Sequence, residues 1–151
     1  MKWEWLPFAE LTAKQVYDML QLREAVFQLE QKLYCRDIDS IDTQARHLLG
    51  YDGESLIAYL RIYMQSDQLI VGRVLVAKPY RGNGLAKVML KLTLKKLCED
   101  YPGFPILVSS QAHMTSFYQQ LGFQVIGQPY QEAGITHIKM RYGVVKQAVN
   151  A

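Results

Sequence analysis

Apolar and polar positions divide the chain into short periodic segments. Lys2 to Trp5 reads as a short strand. Thr12-Ala-Lys-Gln15 has the form of a capping box, and beyond it Val16, Met19, Leu20, Val26 and Phe27 recur at helical spacing. A loop carrying Asp37, Asp39 and Asp42 follows. His47 to Tyr51 and Leu56 to Met64 alternate as strands around Asp52-Gly53, the dipeptide of a tight hairpin. Leu69 to Val76 is a third strand, rich in β-branched residues. Lys78-Pro79-Tyr80-Arg81-Gly82-Asn83-Gly84 then forms a loop that feeds a long amphipathic helix. Leu85, Val88, Met89 and Leu92 are read as its apolar face and Lys87, Lys91 and Lys95 as its wet one, and Pro102-Gly103 stops it. Ile106 to Val108 is a buried-strand run. Met114 to Leu121 is a short helix ended by Gly122, and Phe123 to Ile126 with Ile135 to Met140 read as a closing strand pair. The order predicts an α+β plan, a mixed and mostly antiparallel central sheet flanked by helices.

Composition narrows the class. With 151 residues, half of them apolar and 21% charged, the chain suits one domain over residues 1–151 and excludes intrinsic disorder. A net charge of +3 is too small to argue for nucleic acid, yet it suits an anionic ligand. Aromatic-basic interleaving and a recognition helix are both missing, so a nucleic-acid-binding module is disfavoured. Cys35 and Cys98 match no zinc or redox spacing and are expected to sit as small apolar residues in a reducing compartment. The start of the chain does not resemble a signal peptide and the apolar runs are strand-sized, so a cytoplasmic protein with no membrane association is expected.

The chemistry concentrates between Val74 and Lys87, where strand, glycine-rich loop and helix start follow one another. Glycines let a backbone approach a ligand closely, and the free N–H groups of a helix start favour a phosphate. Arg81 adds a cation at the mouth. The loop is not a Walker A sequence, because Lys-Ser/Thr does not follow Gly84, nor a dinucleotide fingerprint, because the third glycine is missing.

Arg81-x-x-Gly84-x-Ala86 after Val74-Leu75-Val76 resembles the acyl-CoA-binding motif of the GNAT superfamily of N-acetyltransferases. Downstream, Phe117-Tyr118-Gln-Gln-Leu-Gly122-Phe123 is similar to that superfamily's Phe-Tyr helix. Nearly the whole chain resembles the ElaA-type branch, through Arg23-x-x-Val26-Phe27-x-x-Glu30-Gln31, Tyr34, Asp37, Asp39, Asp42, His47, Gln111-Ala112-His113 and Tyr130-x-Glu132-x-Gly134-Ile135-x-His137. The resemblance implies acetyl-CoA as co-substrate and a small-molecule or peptide amine as acceptor, attacked directly in a ternary complex. It implies that Val74, Leu75 and Val76 splay from the next strand and pair with the pantetheine arm. Arg81, Gly82, Asn83, Gly84, Leu85, Ala86 and Lys87 would hold the diphosphate. Gln111 stands where the superfamily often has Asn, against CoA. A backbone N–H near Val76 would steady the carbonyl oxygen, and Tyr118 would protonate the leaving thiolate. Family habit adds a homodimer.

The general base stays open. Some relatives carry a glutamate on the strand before Tyr118, where this chain has Ile106. Glu30, late on the first helix, is either one wall of the acceptor pocket or a solvated carboxylate. Imidazole titrates near neutral pH, so each histidine is weighed. His47 reads as structural, His113 as capping or ligand-adjacent, and His137, beside Glu132, as a terminal-strand residue able to act as a base through water. The three lack zinc spacing, so no metal is expected. The Asp37–Asp42 loop lacks the glycine and terminal glutamate of a calcium loop, so it either caps itself or faces a cationic amine. The rival reading is a non-catalytic acyl-CoA sensor.

Overall fold

In a computed structural model that describes residues 1–143, the strands are β1 (Lys2–Pro7), β2 (Arg46–Asp52), β3 (Ser55–Gln65), β4 (Gln68–Val76), β5 (Ile106–Gln111), β6 (Phe123–Val125), β7 (Tyr130–Glu132) and β8 (Ile135–Tyr142). Residues 144–151 of the expected single domain lie outside the described residues. The strands form one sheet in the order β1-β2-β3-β4-β5-β8-β6, with β7 paired to β8. Every pairing is antiparallel except β4 with β5, so the sheet is mixed and mostly antiparallel, as the element order predicts.

Alternation along β3 sorts the core. Ala58, Leu60 and Ile62 face α2 (Leu85–Asp100) and α3 (Thr115–Gln120), while Tyr59 between them faces α1 (Ala13–Arg23) with Met19, Val26, Leu49 and Leu75. The sheet is thus covered on both faces. Thr12 caps α1 as expected: its hydroxyl accepts from the Gln15 amide and the Gln15 side chain accepts from the Thr12 amide.

Three features depart from the sequence reading. After Arg23 the first helix widens into a π-helical stretch, Glu24–Glu30. The short strand β7 completes a hairpin with β8 through Ala133 and Gly134, both at positive φ. On α2 the buried stripe is Met89, Leu90, Thr93, Leu94 and Leu97, whereas Val88 and Leu92 are exposed. Thr93 is tolerated inside because its hydroxyl donates to the Met89 carbonyl one turn back, which a reading by apolarity alone overlooks. Among the described residues no helix is long and apolar enough to cross a membrane.

Candidate active site

β4 and β5 part company in mid-sheet. They pair from Leu69↔Ile106 to Val71↔Val108 and no further. At that point β4 carries one extra residue: Tyr59 and Arg61 of β3 face Leu75 and Gly72, so two steps on one strand oppose three on the other. Arg73 absorbs the bulge at φ 52°, in the left-handed region. Beyond it Val74, Leu75 and Val76 line a cavity of about 680 Å³ that opens between the separated strands. Two cavity-lining glycines stand at the mouth, Gly82 (φ 87°) and Gly84 (φ 77°). A Cβ built at either meets nothing within 4 Å, so glycine is needed there for its backbone conformation and for the access it leaves. Gly84 also begins α2, whose first amides no side chain caps. Uncapped N–H groups and the positive end of the dipole make this terminus suited to an anion. Leu85, Ala86, Lys87 and Gln111 line the same cavity, whereas Asn83 is exposed and does not.

Tyr118 comes up on α3 from the far side. It is only 6% exposed, edge-on to Phe117 and Phe123 with ring centroids 5.2 and 5.5 Å away. Its hydroxyl has no hydrogen-bond partner among the described residues, and the residue lines the cavity. Burial pushes the phenol well above its usual range, which keeps the proton on it at neutral pH.

The π-helical end lies across the slot. Glu30 accepts from both terminal nitrogens of Arg81, at 2.5 and 2.9 Å, while Arg81 Nε donates to the Val76 carbonyl at 2.8 Å. Its neighbour Gln31 accepts from Gln111 Nε2 at 3.1 Å, on the β5 side. The Arg81 hydrogen bonds hold the Glu30 carboxyl below its ordinary range, and Glu30 in turn raises Arg81. Thus Glu30, a base candidate, and Arg81, the expected phosphate cation, are each other's partners.

The β7–β8 hairpin supplies the opposite wall. His137 is buried, with Nδ1 donating to the Ile135 carbonyl at 2.8 Å. In the neutral ring that leaves the Nε2 lone pair free, 3.9 Å from a Glu132 carboxylate oxygen. Tyr130 stacks on the imidazole at 6.1 Å and hydrogen-bonds Ser109 of β5. Sequence reasoning missed Ser109 and gave Tyr130, quoted only within the resemblance, no role. The alternation Tyr130, Glu132, then Ile135 and His137 about a Gly-containing turn was the available signal. His113 also lines the cavity but is exposed, while His47 is wholly buried away from it, consistent with a structural role.

The acidic loop touches the cavity only through Asp37, and its three carboxylates are all paired with arginines. Arg23 donates to Asp37 and Asp42, Arg61 to Asp39 and Asp42, and Arg73 to Asp37 and Asp39, so each of the three carboxylates is shared between two guanidinium groups. Arg23 is wholly buried on α1, and the network staples the loop to the sheet. Hydrogen bonds from Arg61 bring Asp39 down to about 2. His47 completes the anchor: Nε2 donates to the Asp42 carbonyl and Nδ1 accepts from Tyr59. Local sequence shows the acids but not their partners, which are 14 to 36 residues away in the chain. Both cysteines are exposed rather than packed as small apolar residues, and Cys35 borders the cavity. Among the described residues no cluster of His, Cys, Asp or Glu could hold a metal ion.

A family model described as an acetyltransferase (GNAT) domain matches residues 10–144. The chain is 37% identical to Protein ElaA of Escherichia coli (strain K12), covering 97% of this chain and 99% of that protein. The crystal structure of E. coli ElaA superposes with a TM-score of 0.89 over 93% of this chain and 99% of that one. An acyl-CoA N-acyltransferase from Pseudomonas aeruginosa gives the same TM-score, 0.89, at 32% identity, covering 95% of this chain and 100% of that one. The PaiA N-acetyltransferase of Thermoplasma acidophilum, solved in complex with coenzyme A, shares the fold, with a TM-score of 0.69 at 13% identity over 95% of this chain and 99% of that one.

Proposed function

Because the chain belongs to the GNAT acetyltransferase family and is similar to ElaA over nearly its full length, we propose that it acts as one domain to transfer an acetyl group from acetyl-CoA to an amine. The observation that carries this reading is the slot itself. An unpaired strand edge, a glycine turn leading to an uncapped helix start, and an unpartnered tyrosine hydroxyl all line one cavity.

The pieces fit an acyl-CoA in a stated way. The edge of Val74 to Val76 that no longer pairs with β5 offers donors and acceptors to the amides of a pantetheine arm. The amides from Gly82 to Lys87 receive the diphosphate, with Gly84 giving the close approach. When bound, acetyl-CoA supplies an activated acyl group as a thioester. A backbone N–H near Val76 steadies the carbonyl oxygen as it gains charge. Tyr118 holds its proton at neutral pH and delivers it to the departing sulfur. His137 Nε2, oriented by its bond to Ile135 and beside the Glu132 carboxylate, takes the proton from the amine. Of the two base candidates it is better placed than Glu30, whose carboxylate is engaged by Arg81 and made less basic. The acceptor is a small-molecule or peptide amine. The three loop aspartates give no argument for a cationic amine, since arginines pair with all of them. Free, exposed cysteines suit a reducing, cytoplasmic setting.

The test is CoA release from acetyl-CoA across a panel of primary amines and peptides, beside calorimetry with CoA. Turnover with at least one amine is expected. Tight CoA binding without turnover on any amine points to the acyl-CoA sensor, and no CoA binding at all defeats both readings.

A further inference from the structure

The Glu30–Arg81 pair lines the cavity together with the glycine turn expected to receive the diphosphate, and it occupies two groups that acyl-CoA would need. The guanidinium that could meet the phosphates is held face to face by a carboxylate. The same guanidinium covers the Val76 carbonyl through Nε, at the end of the strand edge offered to pantetheine. On the other side of the split, Gln31 holds Gln111. Consecutive residues of the π-helical end thus clasp both lips of the slot, the Arg81 loop after β4 and the last residue of β5.

This clasp is suited to opening. The Arg81 and Glu30 side chains are 38% and 33% exposed, and water-touched ion pairs contribute little to stability. A diphosphate offers more negative charge than one carboxylate and accepts charge-assisted hydrogen bonds in the same bidentate manner. It would arrive at a helix start that already favours anions. Exchange of partner is therefore downhill for Arg81, whereas opening without a ligand is not.

On the reading that this is an acyl-CoA site, we propose that Glu30 and Arg81 form a latch on it. Acyl-CoA enters by drawing Arg81 from Glu30 to its diphosphate, which uncovers the Val76 carbonyl and releases the π-helical end from the β4 lip. Glu30 acts as a competitor of the cofactor's phosphates, and its contact with Arg81 marks the closed state.

Calorimetry on the full chain tests this with CoA, dephospho-CoA and pantetheine as probes. Glu30→Gln should bind CoA about two- to fivefold more tightly, the factor that a solvent-touched ion pair is worth. The gain should persist with dephospho-CoA, which keeps the diphosphate, and vanish with pantetheine, which lacks it. In an Arg81→Ala background the same Glu30→Gln change should have no effect on CoA affinity. Unchanged or weaker CoA binding by Glu30→Gln would show a static wall and overturn the latch. An equal gain in the Arg81→Ala background would trace the effect to bulk charge and also overturn it. Wild-type chain that binds no CoA would instead sink the acyltransferase reading on which the latch rests.

Discussion

Replacing Tyr118 with phenylalanine separates chemistry from packing, because the surroundings of this ring are so well defined. The side chain is 6% exposed and held edge-on by Phe117 and Phe123, contacts that phenylalanine keeps. The hydroxyl makes no hydrogen bond to any described residue, so its removal leaves no protein group unpaired. Stability should therefore change by less than about 0.5 kcal/mol, or at most about 2 °C in Tm for a domain of this length. If the hydroxyl delivers a proton to departing sulfur, turnover should fall about 10²- to 10⁴-fold. A thiolate leaves readily, which places the expectation at the low end. Acetyl-CoA affinity should stay level, since the interaction strengthens only as charge develops on sulfur. Burial raises the phenol above its usual range, so wild-type turnover should show no loss from Tyr118 ionisation up to about pH 10. The assay is steady-state CoA release with an amine that wild type accepts, beside a thermal melt and CoA calorimetry. Full turnover in Tyr118→Phe would end the general-acid assignment. A large drop in Tm with normal turnover of the folded fraction would mean that the packing argument itself is wrong.

Other consequences follow from the same geometry. Gly84→Val meets no steric neighbour but forces a β-branched residue to φ 77°; CoA affinity in calorimetry should fall by more than about tenfold, and Tm by only a few degrees. Unchanged affinity would remove the loop from the site. Arg23→Met strips buried Asp42 and part-buried Asp37 of a shared cation, and breaking such a pair costs about 3–5 kcal/mol, so a thermal melt should drop by about 6–20 °C. Acid should act in two stages in a melt series. Burial lowers His47, so the stability tied to its neutral form is complete above its unfolded value near 6.5 and is lost as pH falls below it. Asp39, held by Arg61 at about 2, contributes stability that is complete above its unfolded value of 3.8 and is lost as pH falls from there towards about 2. His47→Gln should erase the first stage and leave the second. A wild-type melt flat from pH 7 to 5 would contradict the assignment for His47.

What the sequence made legible was whatever depends on near neighbours. The Thr12 capping box, the Asp52-Gly53 hairpin and the stop at Pro102-Gly103 are each decided within a few residues, and each stands where the pattern puts it. The glycine turn before α2 and the Phe117-Tyr118 helix were likewise readable, because their spacing is a local code. The Arg–Asp network was not. It joins Arg23, Arg61 and Arg73 to a loop far from two of them in sequence, so the aspartates looked like solvated or substrate-facing charge. Glu30 and Arg81, 51 positions apart, were read separately for the same reason. The π-helical stretch left no trace either, since Val16, Met19, Val26 and Phe27 satisfy an ordinary helical period. β7 is three residues long and polar at two of them, too short for alternation to stand out.

That π-helical stretch has a consequence for how such a site can change. A π turn closes its hydrogen bond one residue later than an α turn, so it holds one residue more. Arg23 is fixed below it by Asp37 and Asp42, and Glu30 and Gln31 hang from its far end. Deleting a single residue inside the wide turn would let the helix relax to α geometry while the residues on either side keep their faces. Glu30 and Gln31 would still point at the two lips of the slot. The roof of the cavity can thus absorb a one-residue change in chain length, separate from the identity of any residue that lines it. The same deletion in an unbroken α-helix would turn everything beyond it by about 100° and give the same amine a different wall.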